Sequence, residues 1–262
     1  MNSEKPRARI LYLGITVLSP LVIGLLWIVS TRYGWVRSVI LPTPMAVVQS
    51  AVEFLRDGYS GNSLMVHLGA SAYRVGIAFV SGAVLGISLG ILRATSPVVN
   101  AVFLVPTEVL RPIPPLGLIP LFILWFGLGE LSKIVLIFIP VFLITMINTQ
   151  AGVKGSNPEL IRASRCFGAS RFRTFISVLL PGALPNIITG LRIAFGTALS
   201  VLVAAELLGA DKGIGFIILD ASNFFKTSYV MVGIAIVGLI GLLCDRLLLL
   251  AANHIAHWEG KT

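Results

Sequence analysis

Charge is what this sequence has least of. Asp, Glu, Lys and Arg make up 12% of its 262 residues, against about 25% in a soluble domain. Hydrophobic residues reach 56% and the mean hydropathy is +0.94. So little polar surface cannot cover a water-soluble globule, and the bilayer is the natural solvent. Cysteine is nearly absent: Cys166 and Cys244 form neither a disulfide framework nor a zinc spacing and read as small apolar filler. His67, His254 and His257 lack metal-ligand spacing. No G-x-x-x-x-G-K-S/T phosphate loop occurs, because Gly127-Leu128-Gly129 and residues 209–215 both miss the spacing. ATP hydrolysis, if coupled to this chain, must therefore occur elsewhere. No internal repeat, low-complexity tract or linker divides the sequence, so residues 1–262 read as one domain with its core spans over 67–251.

Long apolar runs are what the chain has in quantity. A membrane helix needs about 20 mainly apolar residues, and six stretches qualify: residues 10–30, 75–92, 98–125, 134–151, 184–208 and 230–250. The expected fold class is all-α and polytopic, with about six transmembrane helices. The first run exceeds the roughly 7–15 residues of a signal-peptide core and lacks a small-residue cleavage site, so it reads as an uncleaved span.

The formal charge of +9 is best read as membrane orientation rather than nucleic-acid binding, because the cations sit mostly between apolar runs. With the N-terminus in the cytoplasm, Lys5, Arg7, Arg9, Arg93, Lys154, Arg162, Arg165, Arg171, Arg173, Arg246 and Lys261 fall inside. Arg32, Arg37, Arg56, Arg74, Lys133, Lys212 and Lys226 fall outside. Both termini are then cytoplasmic. Between the first two spans, Leu41-Pro42-Thr43-Pro44 breaks the chain. Residues 46–55 then read as an amphipathic helix with Val47, Val48, Ala51 and Leu55 on one side, ended by Gly58 and Gly61.

The stretch 154–181 is too polar to span and patterned enough to fold. Asn157-Pro158-Glu159 starts a helix, since Asn caps, Pro suits the first turn and Glu favours the positive end. Gly168 ends it, and Ala169-Ser170 opens a second helix to Leu180. Pro181 and Pro185 bend the chain into the fifth span. Two readings stand for this knob: a docking element for a partner, or a loop that merely follows the positive-inside rule.

Several residues within the spans invite a role. Glu108 and Arg111 lie three apart, either lining a path or forming a mutual ion pair. Pro112, Pro114, Pro115 and Pro120 interrupt the third span, placing it in the protein interior as pore lining or as a packing kink. Gly82, Gly86 and Gly90, spaced by four, form a seam for close helix packing. Arg192 sits within the fifth span, and Glu206 at its outer end reads as a gate residue or a solvated end. Asn148 and Asn186 are ambiguous.

The run from Glu159 through Arg162-Ala163-Ser164-Arg165 to Gly168-Ala169, followed by Pro181 and Pro185, resembles the EAA loop of ABC importer permeases. Arg162 and Ser164 stand where that family has its glutamate and second alanine. The segment from Glu108 through Arg111-Pro112-Ile113-Pro114-Pro115 to Glu130 is similar to permeases of nitrate, sulfonate and taurine importers. So are Ala204-Ala205-Glu206-Leu207 and the closing Trp258-Glu259-Gly260. The resemblance runs from about Leu41 to the end and implies type I importer architecture in a bacterial inner membrane.

The same resemblance implies partners and a solute. Two copies of the chain would form the pore, served by an extracytoplasmic solute-binding protein and two cytoplasmic ATPase subunits. ATP and Mg would sit on the ATPase, and no cofactor or nucleic acid on this chain. Glu159, Arg162, Ala163, Ser164, Arg165, Gly168 and Ala169 would couple to the ATPase. Glu108, Arg111, Pro114, Pro115, Arg192 and Glu206 would belong to the translocation path. The implied solute is a small anion, with taurine or an alkanesulfonate ahead of nitrate. A self-sufficient secondary transporter would need repeats or a midplane ion site, and a membrane enzyme would need a catalytic cluster that the sequence lacks.

Overall fold

The computed structural model describes residues 6–207 and 209–255. Lys5, His257, Trp258-Glu259-Gly260 and Lys261 lie outside the described residues, as do the side chains of Arg7, Arg9 and His254. Among the described residues all regular structure is helical, and the only strand-like pairing is an isolated bridge between Tyr59 and Asn62. Among the described residues five helices are long and apolar enough to cross a membrane, six if the bent pair Pro97–Leu110 and Pro115–Phe126 counts as one span. The contacts divide the chain into two compact units, Met1–Leu64 with Ile217–Ile234, and Met65–Phe216 with Ala235–Thr262.

The first unit contains α1 (Pro6–Arg32) and α2 (Pro44–Asp57). None of the apolar window of α1 is buried within the chain, so lipid or another protein must cover it. The Trp27 indole N–H donates to the Pro42 carbonyl at 2.9 Å and ties the end of α1 to the following loop. Thr43 caps α2 by accepting the Ala46 N–H, Pro44 opens its first turn, and Gly58 at φ +74 ends it. The packed face of α2 differs from the one expected. Ser50 and Phe54 are buried, whereas Val48 and Leu55 are 56% and 66% exposed. The aromatic ring decides the register: Phe54 packs against Tyr59 and Tyr229, a larger apolar payload than any aliphatic side chain on the helix. In the same unit Tyr59 donates to Asp220, and Tyr229 to Glu53. Burial first, then the bond to Asp220, pushes the Tyr59 phenol well above its usual range.

The second unit holds α3 (Leu64–Thr95), α4 (Pro97–Leu110), a 3-10 turn (Pro115–Leu118), α5 (Ile119–Phe126) and α6 (Glu130–Lys154). After these come α7 (Pro158–Cys166), α8 (Arg171–Thr174) and α9 (Leu180–Leu207). Two more helices, α10 (Ile214–Asn223) and α11 (Thr227–Ile255), contribute to both units. Ala78 of α3, Ile137 and Val141 of α6, and Ala194 and Ala198 of α9 are fully buried in one core. Small residues set the helix spacing. A Cβ on Gly82, Gly86 or Gly90 would come within 2.8 Å, 2.8 Å and 2.7 Å of atoms of α6. This is the seam that the four-residue spacing predicts. The α6–α9 contact has the same character, since a Cβ on Gly190 would lie 2.5 Å from Asn148 Cβ.

Two proline-rich regions behave differently. The third span breaks by 89° between α4 and the 3-10 turn. Pro112, Pro114 and Pro115 withhold backbone donors there, and Pro114 is extended. The fifth span is not interrupted at its prolines. Residues from Arg171 to Leu207 form one run of 37 residues, with a π-helical turn over Phe175–Leu179. Pro181 has no N–H for the Ser177 carbonyl. The wider turn absorbs this by letting Leu180 N–H bond Phe175 O.

Candidate functional site

The 154–181 stretch folds as its residues dictate. Asn157 Oδ1 accepts the Glu159 N–H at 2.8 Å, and Pro158 occupies the first turn of α7. At the other end Gly168 adopts φ +76. Ala169 N–H reaches Ser164 O at 3.0 Å and Gly168 N–H reaches Arg165 O at 2.9 Å. This paired closure of a helix C-terminus needs the left-handed conformation that glycine adopts freely. Ser170 then caps α8 by accepting the Arg173 N–H. The hydroxyls of Ser164 and Thr174 meet at 3.1 Å and pin the two short helices together.

No residue of α7 is buried. Glu159, Arg162, Ala163 and Arg165 are exposed, and so are Leu160 at 58% and Phe167 at 91%. Apolar side chains this open, rimmed by cations, mark a surface for another protein. Ser164, Gly168 and Ala169 shape the knob, while Glu159, Arg162 and Arg165 decorate it. Phe167 and Leu160 went unnoticed in the sequence because they look like ordinary helix-core residues.

A buried ionic cluster lies elsewhere in the second unit. Arg74 donates to both oxygens of Glu130, at 2.6 and 2.7 Å, to Glu206 Oε1 at 2.7 Å, and to the Lys212 carbonyl at 2.7 Å. Glu206 also accepts from Ser71 Oγ and from Gly215 N–H, each at 2.8 Å. Lys133 completes the set against Glu130 at 3.3 Å. The segment before α10 wraps this carboxylate. Ile214 N–H bonds Ser71 Oγ and Gly213 N–H bonds His67 Nδ1, so the negative charge sits at a helix N-terminus. A Cβ on Gly213 would strike the Glu206 carboxyl at 2.4 Å.

This cluster corrects two expectations. Glu206 is 1% exposed. It is not a solvated end, because four donor and packing partners enclose it. Arg74 and Lys133, placed in outer loops by charge counting, are buried on α3 and α6. Ser71, Arg74, Gly213 and Gly215 were missed, and no local signal pairs Arg74 with a carboxylate 132 positions away.

The remaining path residues separate. Glu108 and Arg111 form no ion pair and both are exposed. Glu108 instead interacts electrostatically with Arg93, which donates to Thr107 Oγ1 at 2.8 Å. Arg192 is held by Asp245 of α11 through two bonds of 2.7 and 3.0 Å. Arg111 and Pro115 line one cavity of about 320 Å³ with Asn148 and Thr197, while Pro114, Arg192, Glu108 and Glu206 do not. Among the described residues no group of three or more His, Cys, Asp or Glu is placed to hold a metal ion.

Five or six apolar spans, one of them broken beside an arginine, and an exposed helical knob are the features of a polytopic membrane subunit with a docking surface. Residues 82–257 match the family model described as binding-protein-dependent transport system inner membrane component. The chain belongs to this family and is the permease subunit of an ABC importer. It is similar to the taurine transport system permease protein TauC of Escherichia coli K12, at 37% identity over 98% of this chain and 93% of that one. It is also similar to the putative aliphatic sulfonates transport permease protein SsuC of Bacillus subtilis, at 37% identity over 94% of this chain and 87% of that one. The nitrate import permease protein NrtB of Synechocystis is 34% identical over 84% of this chain and 82% of that one. The solved inward-facing MetNI methionine ABC transporter shares the fold, with a TM-score of 0.50 at 20% identity, covering 81% of this chain and 95% of that one.

Proposed function

We propose that this permease carries a small organic sulfonate, with taurine as the leading solute, across a bacterial inner membrane. Two relatives at 37% identity, each aligned over nearly the whole chain, are named for the transport of taurine and aliphatic sulfonates. Two copies form the pore, and an extracytoplasmic binding protein delivers the solute. ATP and Mg are bound by two separate ATPase subunits. The whole chain acts as one permease domain, with both termini in the cytoplasm and residues 154–181 facing the ATPase.

The observation that carries the coupling is α7 itself. It is capped at both ends, has no buried residue, and is joined by the Gly168 turn to the 37-residue run from Arg171 to Leu207. Glu159, Arg162 and Arg165 supply its charged rim, and Ser164, Gly168 and Ala169 fix its angle to the next helix. A ligand-driven machine needs an element whose arrangement the nucleotide biases, and a stiff knob tied to two spans answers that need. Arg111 and Pro115 contribute to the path, whereas Arg192 and Glu206 hold helices together.

Reconstitution in liposomes with the partner ATPase and binding protein tests the reading. Taurine is expected to raise ATP turnover and to accumulate in the lumen, with nitrate weaker. Turnover that no sulfonate or nitrate stimulates would overturn it.

A further inference from the structure

We propose that the cavity beside the break in the third span is a transit site for the sulfonate itself, with Arg111 receiving the anionic head and the apolar walls receiving the alkyl body. This deepens the sulfonate reading above and rests on it. The cavity measures about 320 Å³, at the small end of ligand pockets, which run about 300–1,000 Å³. Arg111 is its only charged lining residue, and Asn148 and Thr197 its only other hydrogen-bonding side chains. Ile113, Ile139, Leu143 and Ile147 are among the apolar remainder. No carboxylate lines it, so the site selects for negative charge.

Arg111 differs from Arg74, Arg93, Lys133 and Arg192. Arg74, Lys133 and Arg192 are each neutralised by a carboxylate within 3.3 Å. Arg93 is held by Thr107 and Met146. The Arg111 guanidinium makes no hydrogen bond or ion pair among the described residues, and only the backbone N–H of Arg111 is engaged, by the Thr107 carbonyl. Arg111 sits at the 89° break between α4 and the 3-10 turn. A charge within so apolar a segment is expensive unless it pairs or faces water. The missing counter-charge is supplied by the passing solute. A guanidinium offers paired donors to two oxygens of one sulfonate.

Asn148 adds a second donor. One of its amide hydrogens goes to the Ile144 carbonyl at 2.8 Å, which leaves the other and the amide oxygen open to the cavity. Thr197 donates to the Ile193 carbonyl at 3.0 Å, so its oxygen only accepts and suits the ammonium end of taurine. Nitrate has no apolar body to bury against the isoleucines, and the site therefore favours alkyl sulfonates over it.

Paired thiol reagents of equal shape and opposite charge test the site without relying on transport. Thr197→Cys is placed in a background with Cys166→Ser and Cys244→Ser, and the full complex with its ATPase is reconstituted. The anionic reagent, a sulfonatoethyl methanethiosulfonate, is expected to react about tenfold faster than its trimethylammonioethyl counterpart, after correction for their rates with a free thiol. Butanesulfonate slows the anionic reaction. Arg111→Gln brings the ratio close to one and removes the protection, while Arg111→Lys keeps the preference and shows that the fold is intact. Uptake of taurine by Arg111→Gln falls about 10–100-fold, in line with the loss of a charge-assisted bond, while the ATPase stays bound. A charge ratio unaffected by Arg111→Gln would overturn the proposal. If the ratio responds to Arg111 but no sulfonate is imported, the anion site stands and the solute assignment above fails instead.

Discussion

Arg74 Nη1 lies 2.7 Å from Glu206 Oε1, with the arginine side chain 3% exposed and the glutamate not exposed at all. The same arginine holds Glu130, whose side chain is 46% exposed. Glu206→Ala leaves a buried guanidinium short of its counter-charge and orphans the Gly215 N–H, a change expected to destabilise by about 3–5 kcal/mol. Glu130→Ala takes away a carboxylate that water partly replaces, and its effect is expected near 1 kcal/mol. Thermal unfolding of the purified protein in detergent separates the two, and equal losses would contradict the buried geometry.

The glycine seam makes a second prediction by contrast. A Cβ on Gly86 meets the Phe142 carbonyl at 2.8 Å, whereas one on Gly76, on the same helix, meets nothing within 4 Å. Gly86→Ala is expected to destabilise by about 1–3 kcal/mol through forced backbone separation. Gly76→Ala is expected to be neutral or to stabilise by up to about 1 kcal/mol through helix propensity. The same unfolding assay reads both.

At the coupling knob the strain is in the backbone alone. Gly168 has φ +76 and open space around its Cβ position. Gly168→Asn is therefore expected to be tolerated, because Asn enters the left-handed region. Gly168→Pro, or deletion of residues 159–167, is expected to abolish uptake and ATPase association while membrane insertion remains. Asn157→Ala removes one cap and loses about 1 kcal/mol of helix stability, seen as weaker ATPase binding. Normal uptake by the deletion variant would remove α7 from the coupling.

Arg192 and Asp245 offer a charge-exchange test. Arg192→Asp sets two carboxylates against each other between α9 and α11 and lowers the melting temperature. Adding Asp245→Arg restores it. Uptake is expected to recover in the exchanged pair, as for a structural link. If stability recovers and uptake does not, Arg192 contacts the solute.

Local signals were legible and distant ones were not. The six apolar runs, the Asn157-Pro158 start, the Gly168 stop and the four-residue glycine spacing are all written within one or two helical turns, and the structure follows them. Glu206 was misread because its partners, Ser71, Arg74 and Gly215, come from three other segments. Hydropathy cannot distinguish a span end in water from one sealed by a salt bridge. Residues 209–215 were discounted for failing as a phosphate loop, yet Gly213 and Gly215 leave room for the Glu206 carboxylate. The Glu108–Arg111 spacing suggested a pair that does not form, since Glu108 interacts with Arg93 on a neighbouring helix. The packing of α2 followed a single aromatic ring rather than the larger count of aliphatic residues.

The unbroken run of 37 residues from Arg171 to Leu207 makes a rod on the order of 55 Å long at about 1.5 Å per residue. One tip emerges from the exposed knob, and the other is riveted through Glu206 to α3. Between the tips, Gly190, Ala194 and Ala198 clamp the bar against its neighbours, so a push on the knob is expected to be taken up first at the π-helical joint of Phe175–Leu179.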